Sequence, residues 1–519
     1  MPNRPLRTGT TASVAKHALA RTRVLRNKKT RRRGWIIAVF SIYQERLMAK
    51  LLLYAGAVAA LKATTNVPIV GDHLTVSRLP SAYRPSALSD LKITNNVVQL
   101  TRKDSYSLSS LYVHQLRRQA REENGLPVSR AVNGTVQMYS AQAGQVFLAP
   151  ATIGDQERLF VIDSGSSDPW VVHKEFTCLN YFTGLVQDDY LCYFGQPLDP
   201  DLSETFNLLP NQNFNISYAD GEYLNGDMAT ETFTMGGITV PQQTFGLVDY
   251  AAWFGDGYSS GLIGFAYRTL TSAYAGNDPK QDIPGRTLMY NPLFVNMYLN
   301  EGVPPVFSIA IDRDWDAGGV MALGGIPDIP HSPVFVSTPI IPVGVNLSSG
   351  AAVYEFYTIV IDGFAVSADQ ETIFNSYNND NPRKTSLLRH QTEAIVDSGT
   401  SLLYIADEVA EAIATSFNPP AIWDYDHDVW AVQCDAVAPV FGVGISSKIF
   451  YVNGLDMKVQ VSETDCISGI QPNFGGLTIL GDGWMKNVIS VFDVGAERMQ
   501  FAARQYYNLT GEAVVRAST

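Results

Sequence analysis

Histidine and cysteine are scarce in this chain, which contains seven His and four Cys among 519 residues. The cysteines form no Cys-x-x-Cys pair, and together with the scattered histidines they give no spacing of the kind that zinc sites use. This excludes a zinc-binding domain as the organising feature. We expect neither a metal nor any other cofactor.

Four cysteines can pair in three ways. We favour one bond between Cys178 and Cys192 and another between Cys434 and Cys466, because each closes a loop within one half of the chain. Such bonds fit an oxidising secretory compartment. Candidate glycosylation triplets of the form Asn-x-Ser/Thr fit the same compartment, and they begin at Asn133, Asn215, Asn346 and Asn508.

Long hydrophobic runs are also missing. The apolar run 51–61 is too short to span a bilayer comfortably, and with Lys50 before it the segment 48–63 is typical of a signal peptide. Residues 1–47 are Arg-rich and could form a signal anchor, but we favour an over-extended translation start. No hydrophobic tail follows Asn508, so we expect no GPI anchor and no stable membrane span in the mature form. Secretion is the expected destination, with a vacuole or lysosome as the alternative.

Positive charge is nearly confined to the first quarter of the chain. Residues 1–130 hold 23 Lys and Arg against 6 Asp and Glu, whereas residues 131–519 hold 15 against 44. An acidic body repels nucleic acid, so we expect no nucleic-acid partner. The basic segment 64–130 offers cleavage points at Arg117-Arg118, Arg121 and Arg130, and we interpret it as a removable pro-segment. This distribution fits a zymogen that works in acid.

The body is predicted to be mainly β. Stretches such as 306–311 and 353–366 alternate or cluster β-branched and aromatic residues between turn-forming residues. Helical patterns are few, and the clearest covers 407–417. A strip rich in Pro and Gly near residues 324–333 divides the body, which predicts an N-terminal lobe at 131–328 and a C-terminal lobe at 329–519.

An internal repeat is the most informative feature of the sequence. The heptapeptide VIDSGSS at 161–167 recurs as IVDSGTS at 395–401, and each copy is followed later by two apolar residues and a glycine, at 262–264 and 479–481. A single Asp-Ser-Gly is common in turns, but paired copies with matched apolar flanks are not. If the halves pack about an approximate twofold axis, two strands ending in Asp meet at the floor of a cleft.

Two neighbouring carboxyl groups, Asp163 and Asp397, would share one proton, so that one acts as base while the other acts as acid on a water molecule between them. Activity should then be greatest at acidic pH. The residues that follow each Asp can support the pair. The glycines permit close backbone approach. Ser164 and Ser398 can bond across the halves, and the hydroxyls of Ser166 and Thr400 can bond the carboxylates. These supporting residues are Ser164, Gly165, Ser166, Ser398, Gly399 and Thr400.

These motifs resemble the two active-site signatures of the pepsin family of aspartic proteases, over about residues 135–503. The resemblance implies an all-β, two-lobed fold with pseudo-twofold symmetry and a few short helices. It also implies a monomeric acid endopeptidase that cleaves peptide or protein substrates and whose own pro-segment acts as an intramolecular inhibitor. Both cysteine loops resemble disulfides of that family as well.

The resemblance also predicts a flap hairpin at residues 216–221. Tyr218 would be the flap tyrosine with Trp170 as its hydrogen-bond partner, and Asp220 and Gly221 would present backbone donors to the substrate. Ser164 replaces the threonine that family members usually have, and Asp168-Pro169 replaces a commoner pair. Because serine keeps the hydroxyl, the first departure does not put activity in doubt.

Apolar residues near the first Asp, such as Val161 and Leu262, favour substrates with hydrophobic residues beside the cleaved bond. Two other functions share some of these features. A catalytically inactive pepsin-like binding protein would be expected to lose an Asp, a neighbouring Gly or the flap Tyr, and none is missing here. A glycosidase also uses paired carboxylates, but that chemistry does not require twin Asp-Ser-Gly motifs.

Overall fold

The structure is a computed structural model. Tyr218 and Gly221 group apart from the body that the other described residues form, and they are described by themselves. The described residues are 91–100, 135–136, 140–141, 146–181, 183–218, 221–312, 318–346, 349–374, 386–388, 391–425, 427–461 and 465–504.

Strands dominate the described residues, which confirms the predicted all-β class. The strands as far as residue 323 are β1 (Val97–Leu100), β2 (Thr135–Val136), β3 (Ser140–Ala141), β4 (Val146–Ile153), β5 (Gln156–Asp163), β6 (Pro169–Cys178), β7 (Asn207–Ser217), β8 (Tyr223–Met235), β9 (Ile238–Ala252), β10 (Gly261–Gly264), β11 (Ala273–Ala275), β12 (Val306–Ile311) and β13 (Gly319–Leu323).

The later strands are shorter on average. They are β14 (Val336–Pro339), β15 (Gly344–Val345), β16 (Ala352–Val353), β17 (Thr358–Ile361), β18 (Gly363–Ser367), β19 (Ser386–Leu388), β20 (Thr392–Val396), β21 (Leu403–Ile405), β22 (Ile422–Asp424), β23 (Val429–Val432), β24 (Val440–Ile445), β25 (Lys448–Val452), β26 (Lys458–Gln460), β27 (Cys466–Ser468), β28 (Ile470–Pro472), β29 (Thr478–Leu480), β30 (Val488–Asp493) and β31 (Arg498–Ala503).

The α-helices among the described residues are α1 (Leu293–Asn300), α2 (Asp407–Thr415) and α3 (Asp482–Met485). Helix α2 is the helix predicted at 407–417. It ends two residues early, at Thr415, although Phe417 still packs into the core. In the part of the chain that the structure describes, no helix combines the length and apolar character needed to cross a bilayer.

The same three-strand arrangement occurs once in each half of the body. In the first half, β10 lies between β5, to which it is parallel, and β6, to which it is antiparallel. In the second half, β29 lies in the same way between β20 and β21. The repeated heptapeptides therefore end equivalent strands, β5 and β20, and the repeated apolar-apolar-Gly elements form or follow their parallel partners, β10 and β29.

A seven-stranded sheet joins the two halves, in the order β14-β31-β30-β12-β13-β1-β2. Its central contact pairs β12 from the first half with β30 from the second. Across this contact the rings of Phe307 and Phe492 stack with their centroids 4.4 Å apart, and Tyr357 lies edge-on to Phe492 at 4.8 Å. All three rings are buried, so the junction is an apolar core as well as a hydrogen-bonded sheet.

Strand β1 lies inside the segment 64–130 that we predicted to be removable. It pairs antiparallel with β13 and contributes Val98 to the main hydrophobic core. The proposed cleavage points Arg117, Arg121 and Arg130, like the signal peptide and residues 1–47, lie outside the described residues. The predicted domain boundaries stay predictions.

Both disulfides have the favoured pairing. Cys178 bonds Cys192 with an S–S distance of 2.04 Å, and Cys434 bonds Cys466 with an S–S distance of 2.00 Å. The first bond fixes a loop that follows β6, and the second ties β27 to the loop after β23. Each bond thus constrains one half of the body.

We expect Phe492→Ala to destabilise the protein by about 3–5 kcal/mol, because it would open a cavity at the junction of the halves. The measurement is the free energy of unfolding in urea. Phe474→Ala is the matched control: Phe474 is 49% exposed, so the same truncation should cost no more than about 1 kcal/mol. Equal losses for the two variants would contradict the role given to Phe492.

Candidate active site

Asp163 and Asp397 stand at equivalent places in the two halves. Asp163 is the last residue of β5, and Asp397 directly follows β20. Each strand is buried beside a parallel neighbour: Asp163 pairs with Gly264, and the backbone N–H of Asp397 donates to Leu480 O at 3.2 Å. The carboxyl groups are nearly buried, with 5% and 9% of the residues exposed. The fold thus delivers both groups from rigid strands.

The two carboxyl groups lie close together, because each approaches the backbone of the glycine that follows the opposite acid by two positions. The close approach requires glycine on both sides. A Cβ atom at Gly165 would lie 2.5 Å from Asp397 Oδ1, and one at Gly399 would overlap Asp163 Oδ1. Any side chain at either position would therefore occupy the space of the opposite carboxyl group.

Each carboxyl group receives the same pair of donors from its own heptapeptide. Gly165 N donates to Asp163 Oδ1 at 2.7 Å, and the Ser166 hydroxyl donates to Asp163 Oδ2. In the second half Gly399 N donates to Asp397 Oδ1 at 2.9 Å, and Thr400 Oγ1 donates to Asp397 Oδ2 at 2.6 Å. The predicted supporting residues are therefore brought together, and they fix the orientation of both carboxyl planes.

Ser164 and Ser398 tie the two halves together directly beneath the carboxyl groups. Ser164 N donates to Ser398 Oγ at 3.1 Å, and Ser398 N donates to Ser164 Oγ at 2.9 Å. Each hydroxyl in turn donates to a carbonyl of the opposite half, Ser164 Oγ to Val396 O at 3.1 Å and Ser398 Oγ to Ile162 O at 2.9 Å. These four buried bonds form a closed, symmetric network.

The electrostatics of the pair favour a shared proton. Burial raises the pKa of Asp163, and the nearby charge of Asp397 raises it further, while the hydrogen bonds from Ser166 and Gly165 act in the opposite direction. Two carboxylates this close in a buried site cannot both stay ionised without a large cost. The raised pKa of Asp163 therefore favours its protonated form at acidic pH.

A third buried carboxyl group lies behind the pair. Asp482 begins α3, and its backbone N–H donates to Thr400 O at 2.8 Å. Burial raises the pKa of Asp482 well above its ordinary value, Lys486 lowers it, and the charges of Asp397 and Asp163 raise it. Sequence reasoning noted residues 479–481 only as the second apolar-apolar-Gly element and did not include Asp482. The local sequence carries no sign that Asp482 lies close to Asp163 and Asp397.

Asp168 is a further buried carboxyl group, and sequence reasoning gave it no role. It follows the first heptapeptide, it is completely buried, and Oδ1 accepts from Tyr290 Oη at 2.6 Å and from Ser272 N at 2.9 Å. Burial raises its pKa to about 6, although both hydrogen bonds act to lower it. The only signal in the sequence was that Asp168-Pro169 departs from the commoner family pair.

The predicted flap residues are described only in part. The Gly221 N–H donates to Tyr218 O at 3.0 Å, and Gly221 has a φ of +96°. Asp220 lies outside the described residues. Trp170 is buried in β6, where its ring meets that of Trp253 edge-on at 5.3 Å. The hydrogen bond between Tyr218 and Trp170 stays a prediction.

The side chains of the two described glycosylation candidates, Asn215 and Asn346, both make hydrogen bonds within the body. Asn215 Nδ2 donates to Asp282 Oδ2 at 2.8 Å and to Pro279 O at 3.2 Å. Asn346 is buried, and its Oδ1 accepts from Ser349 N at 3.0 Å. A glycan on Asn215 would displace at least one of its two bonds. Asn133 and Asn508 lie outside the described residues, and glycosylation at all four stays a prediction.

Comparison with known proteins gives relatives of the chain as a whole. A family model described as "Eukaryotic aspartyl protease" matches residues 147–504. The "Probable aspartic-type endopeptidase" of Aspergillus fumigatus is 37% identical over 389 residues, which cover 72% of this chain and 82% of that protein. Rhizopuspepsin of Rhizopus chinensis is 24% identical over 379 residues, covering 71% and 81%.

The buried carboxyl groups predict that stability falls as the pH rises. Asp168 has a folded pKa of about 6 against an ordinary value of 3.8, so the folded state binds its proton more tightly than the unfolded state does. This contribution is fully present below about pH 4 and is lost between about pH 4 and 6, at up to about 1.4 kcal/mol per pH unit. Asp256 and Asp493 are also buried with raised pKa values and act in the same direction.

Asp168→Asn keeps the acceptor oxygen but removes the ionisation. We therefore expect the variant to lose less stability than the parent between about pH 4 and 6, as measured by urea unfolding at a series of pH values. Asp155→Asn, at an exposed side chain, is the matched control and should leave the pH dependence unchanged. If the Asp168 variant followed the pH dependence of the parent, the burial argument for this group would be wrong.

Proposed function

This chain belongs to the eukaryotic aspartyl protease family, and from this premise we propose that Asp163 and Asp397 carry its catalysis by activating one water molecule. The protein is an aspartic-type endopeptidase, a hydrolase of peptide bonds. The observation that supports the assignment best is the close approach of the two carboxyl groups, each of which receives a matching backbone and hydroxyl donor.

In the proposed reaction the ionised member of the pair takes a proton from the water, which attacks the carbonyl carbon of the scissile peptide. The protonated member donates a hydrogen bond to the carbonyl oxygen and stabilises the charge that develops there. When the C–N bond breaks, a proton passes to the leaving nitrogen, and the pair returns to its singly protonated state. No covalent intermediate with the enzyme is formed.

The donors around the pair have a role in this cycle. Gly165 and Gly399 hold the inner oxygens, while Ser166 and Thr400 hold the outer ones. Because these donors are already in place, neither carboxyl group has to reorient as the proton moves between them. The presence of all four donors argues against a catalytically inactive binding protein, since such a protein has no need of two fully hydrogen-bonded acids.

The preferred substrates are proposed to carry hydrophobic residues beside the cleaved bond. Val161 and Leu262 pair with each other on β5 and β10, two positions before Asp163 and Gly264. Trp170, Trp253 and Phe194 form an aromatic cluster nearby, with Trp170 paired to Leu262 across β6 and β10. The side chains on the strands beside the pair are thus apolar.

The charge distribution supports a proposal about processing, and the disulfides support one about location. The basic leader is proposed to cover the acidic body at neutral pH and to loosen as carboxylates protonate. Two disulfides fit an extracellular or vacuolar protease. The mature enzyme is proposed to act as a secreted monomer, with the vacuole or lysosome as the alternative location.

Replacement of either acid by asparagine should abolish turnover while leaving the fold intact, because one amide cannot act as base or share the proton. We expect hydrolysis of an unfolded protein at acidic pH to fall at least about 10³-fold for Asp163→Asn and for Asp397→Asn. Asp155→Asn is the control for the substitution itself. Undiminished proteolysis by either catalytic-site variant would refute the assignment, and hydrolysis of glycosides alone would point to a different enzyme.

The leader predicts a pH-dependent onset of activity. The full chain should be inactive on peptides at neutral pH and should gain activity below about pH 5, where the carboxylates that hold the basic segment become protonated. High salt at neutral pH should have a weaker effect in the same direction, because it screens exposed ion pairs. Both can be measured on material kept at neutral pH from purification onward. Full activity of the unprocessed chain at neutral pH would contradict the proposal.

A further inference from the structure

Two asparagines on strand β7 hold a surface loop against the body. Asn213 and Asn215 are two positions apart on the strand, so their side chains lie on the same face. The loop covers residues 276–282 and directly follows β11, which pairs with β7. Asn213 is 1% exposed and Asn215 is half-buried. The two amides therefore lie between the strand and the loop.

Both hydrogens of each amide are used in bonds to the loop. Asn213 Nδ2 donates to Asp282 Oδ1 and to Gly276 O, both at 3.1 Å. Asn215 Nδ2 donates to Asp282 Oδ2 at 2.8 Å and to Pro279 O at 3.2 Å. An ionised carboxylate and a carbonyl can only accept, so the nitrogen of each amide must face the loop. We call these four bonds the amide clamp.

The loop is ordered by bonds of its own as well. Residues Pro279–Gln281 form one 3-10 turn, and the Asp278 side chain accepts from Lys280 N at 3.1 Å at the start of this turn. At the base of the loop, Gly276 N donates to Asn211 O at 2.8 Å. The loop thus has a defined shape, and the amide clamp fixes that shape onto β7.

Asn215 is also the first residue of the triplet Asn215-Ile216-Ser217, for which the sequence predicts a glycan. A glycan is attached to Nδ2 in place of one hydrogen, through a C–N bond of about 1.5 Å. Each of the two hydrogens points to an oxygen at 2.8 or 3.2 Å from Nδ2. The first sugar carbon would therefore lie within about 2 Å of an oxygen, whereas close C···O contacts are about 3.3 Å. A glycan and the amide clamp exclude each other.

We propose that Asn215 carries no glycan in the folded enzyme and that its amide instead holds loop 276–282 on β7 through Asp282. This replaces the prediction of a glycan at Asn215. The bonds to Asp282 are charge-assisted, because its carboxylate accepts from both amides. A chain glycosylated at Asn215 would have to fold with the loop released. The proposal does not depend on which residues are catalytic.

The first test measures glycan occupancy on the full chain secreted from a host that glycosylates asparagine. Peptide N-glycosidase in heavy-oxygen water converts each glycan-bearing asparagine into labelled aspartate, which peptide mass spectrometry locates. Glu175→Asn, with Thr177 two positions later, creates a triplet at an exposed residue of the same half and is the positive control. We expect label at position 175 of this variant and none at position 215. A glycan on Asn215 in the folded protein would overturn the proposal.

The second test separates the amide from the triplet. Ser217→Ala removes the triplet but keeps the amide, whereas Asn215→Ala removes both. Trypsin cleavage after Lys280 at neutral pH, followed by mass spectrometry, reports how often the loop opens. We expect Asn215→Ala to be cut at least about tenfold faster than the parent, because it loses two hydrogen bonds, one of them to a charged group. Ser217→Ala should be cut at the rate of the parent.

Asp282→Ala should increase cleavage at least as much as Asn215→Ala, and the double variant should be no faster than Asp282→Ala alone, because both changes remove the same contact. All proteins compared carry Asp163→Asn to prevent self-digestion, so the result is independent of the catalytic assignment. Urea unfolding checks that each variant is folded. Cleavage of Asn215→Ala at the parental rate, or equal effects of Ser217→Ala and Asn215→Ala, would overturn the proposal.

Discussion

The close approach of two buried carboxyl groups is the constraint on which the rest of this structure depends. Bringing two acids together in a site that excludes water is unfavourable unless a proton and several donors compensate. The body supplies these in matched sets, one from each half. The serines beneath the pair are bonded to each other's backbone. The spacing of the acids is therefore set by main-chain geometry and not by flexible side chains.

Other buried carboxyl groups of the body also need compensation for the cost of their burial. Asp482, close to the pair, and Asp168, elsewhere in the buried body, are two more such carboxyl groups, and burial raises the pKa of each. These groups are most easily accommodated when protonated. Acid therefore favours the folded body, because protons relieve its buried charges.

Much of the site could be predicted from the sequence because the chain repeats itself. Two copies of an Asp-Ser-Gly element, each after an apolar strand, are enough to predict which acids meet and which serines, glycines and hydroxyls surround them. Local patterns also predicted the β class and helix α2. The end of α2 was placed two residues late because Phe417 continues the apolar pattern of the helix while already lying beyond its last turn.

Other features depend on contacts that local sequence does not encode. The environments of Asp168 and Asp482 arise from residues far along the chain, such as Tyr290 and Thr400. Strand β1 was read as part of a polar, basic leader because its charged neighbours dominate that region. Its four residues reach the core only through pairing with β13, more than two hundred positions away.

All four cysteines of the chain are used within single halves. Apart from the main chain, nothing covalent therefore crosses the floor of the site, and what joins the halves is a sheet, an aromatic stack and the serine bonds. Reducing agents should loosen the surface loops of each half without changing the separation of the acids. Denaturants act on that separation directly. Reduction of the disulfides and the separation of the two acids are therefore independent of each other.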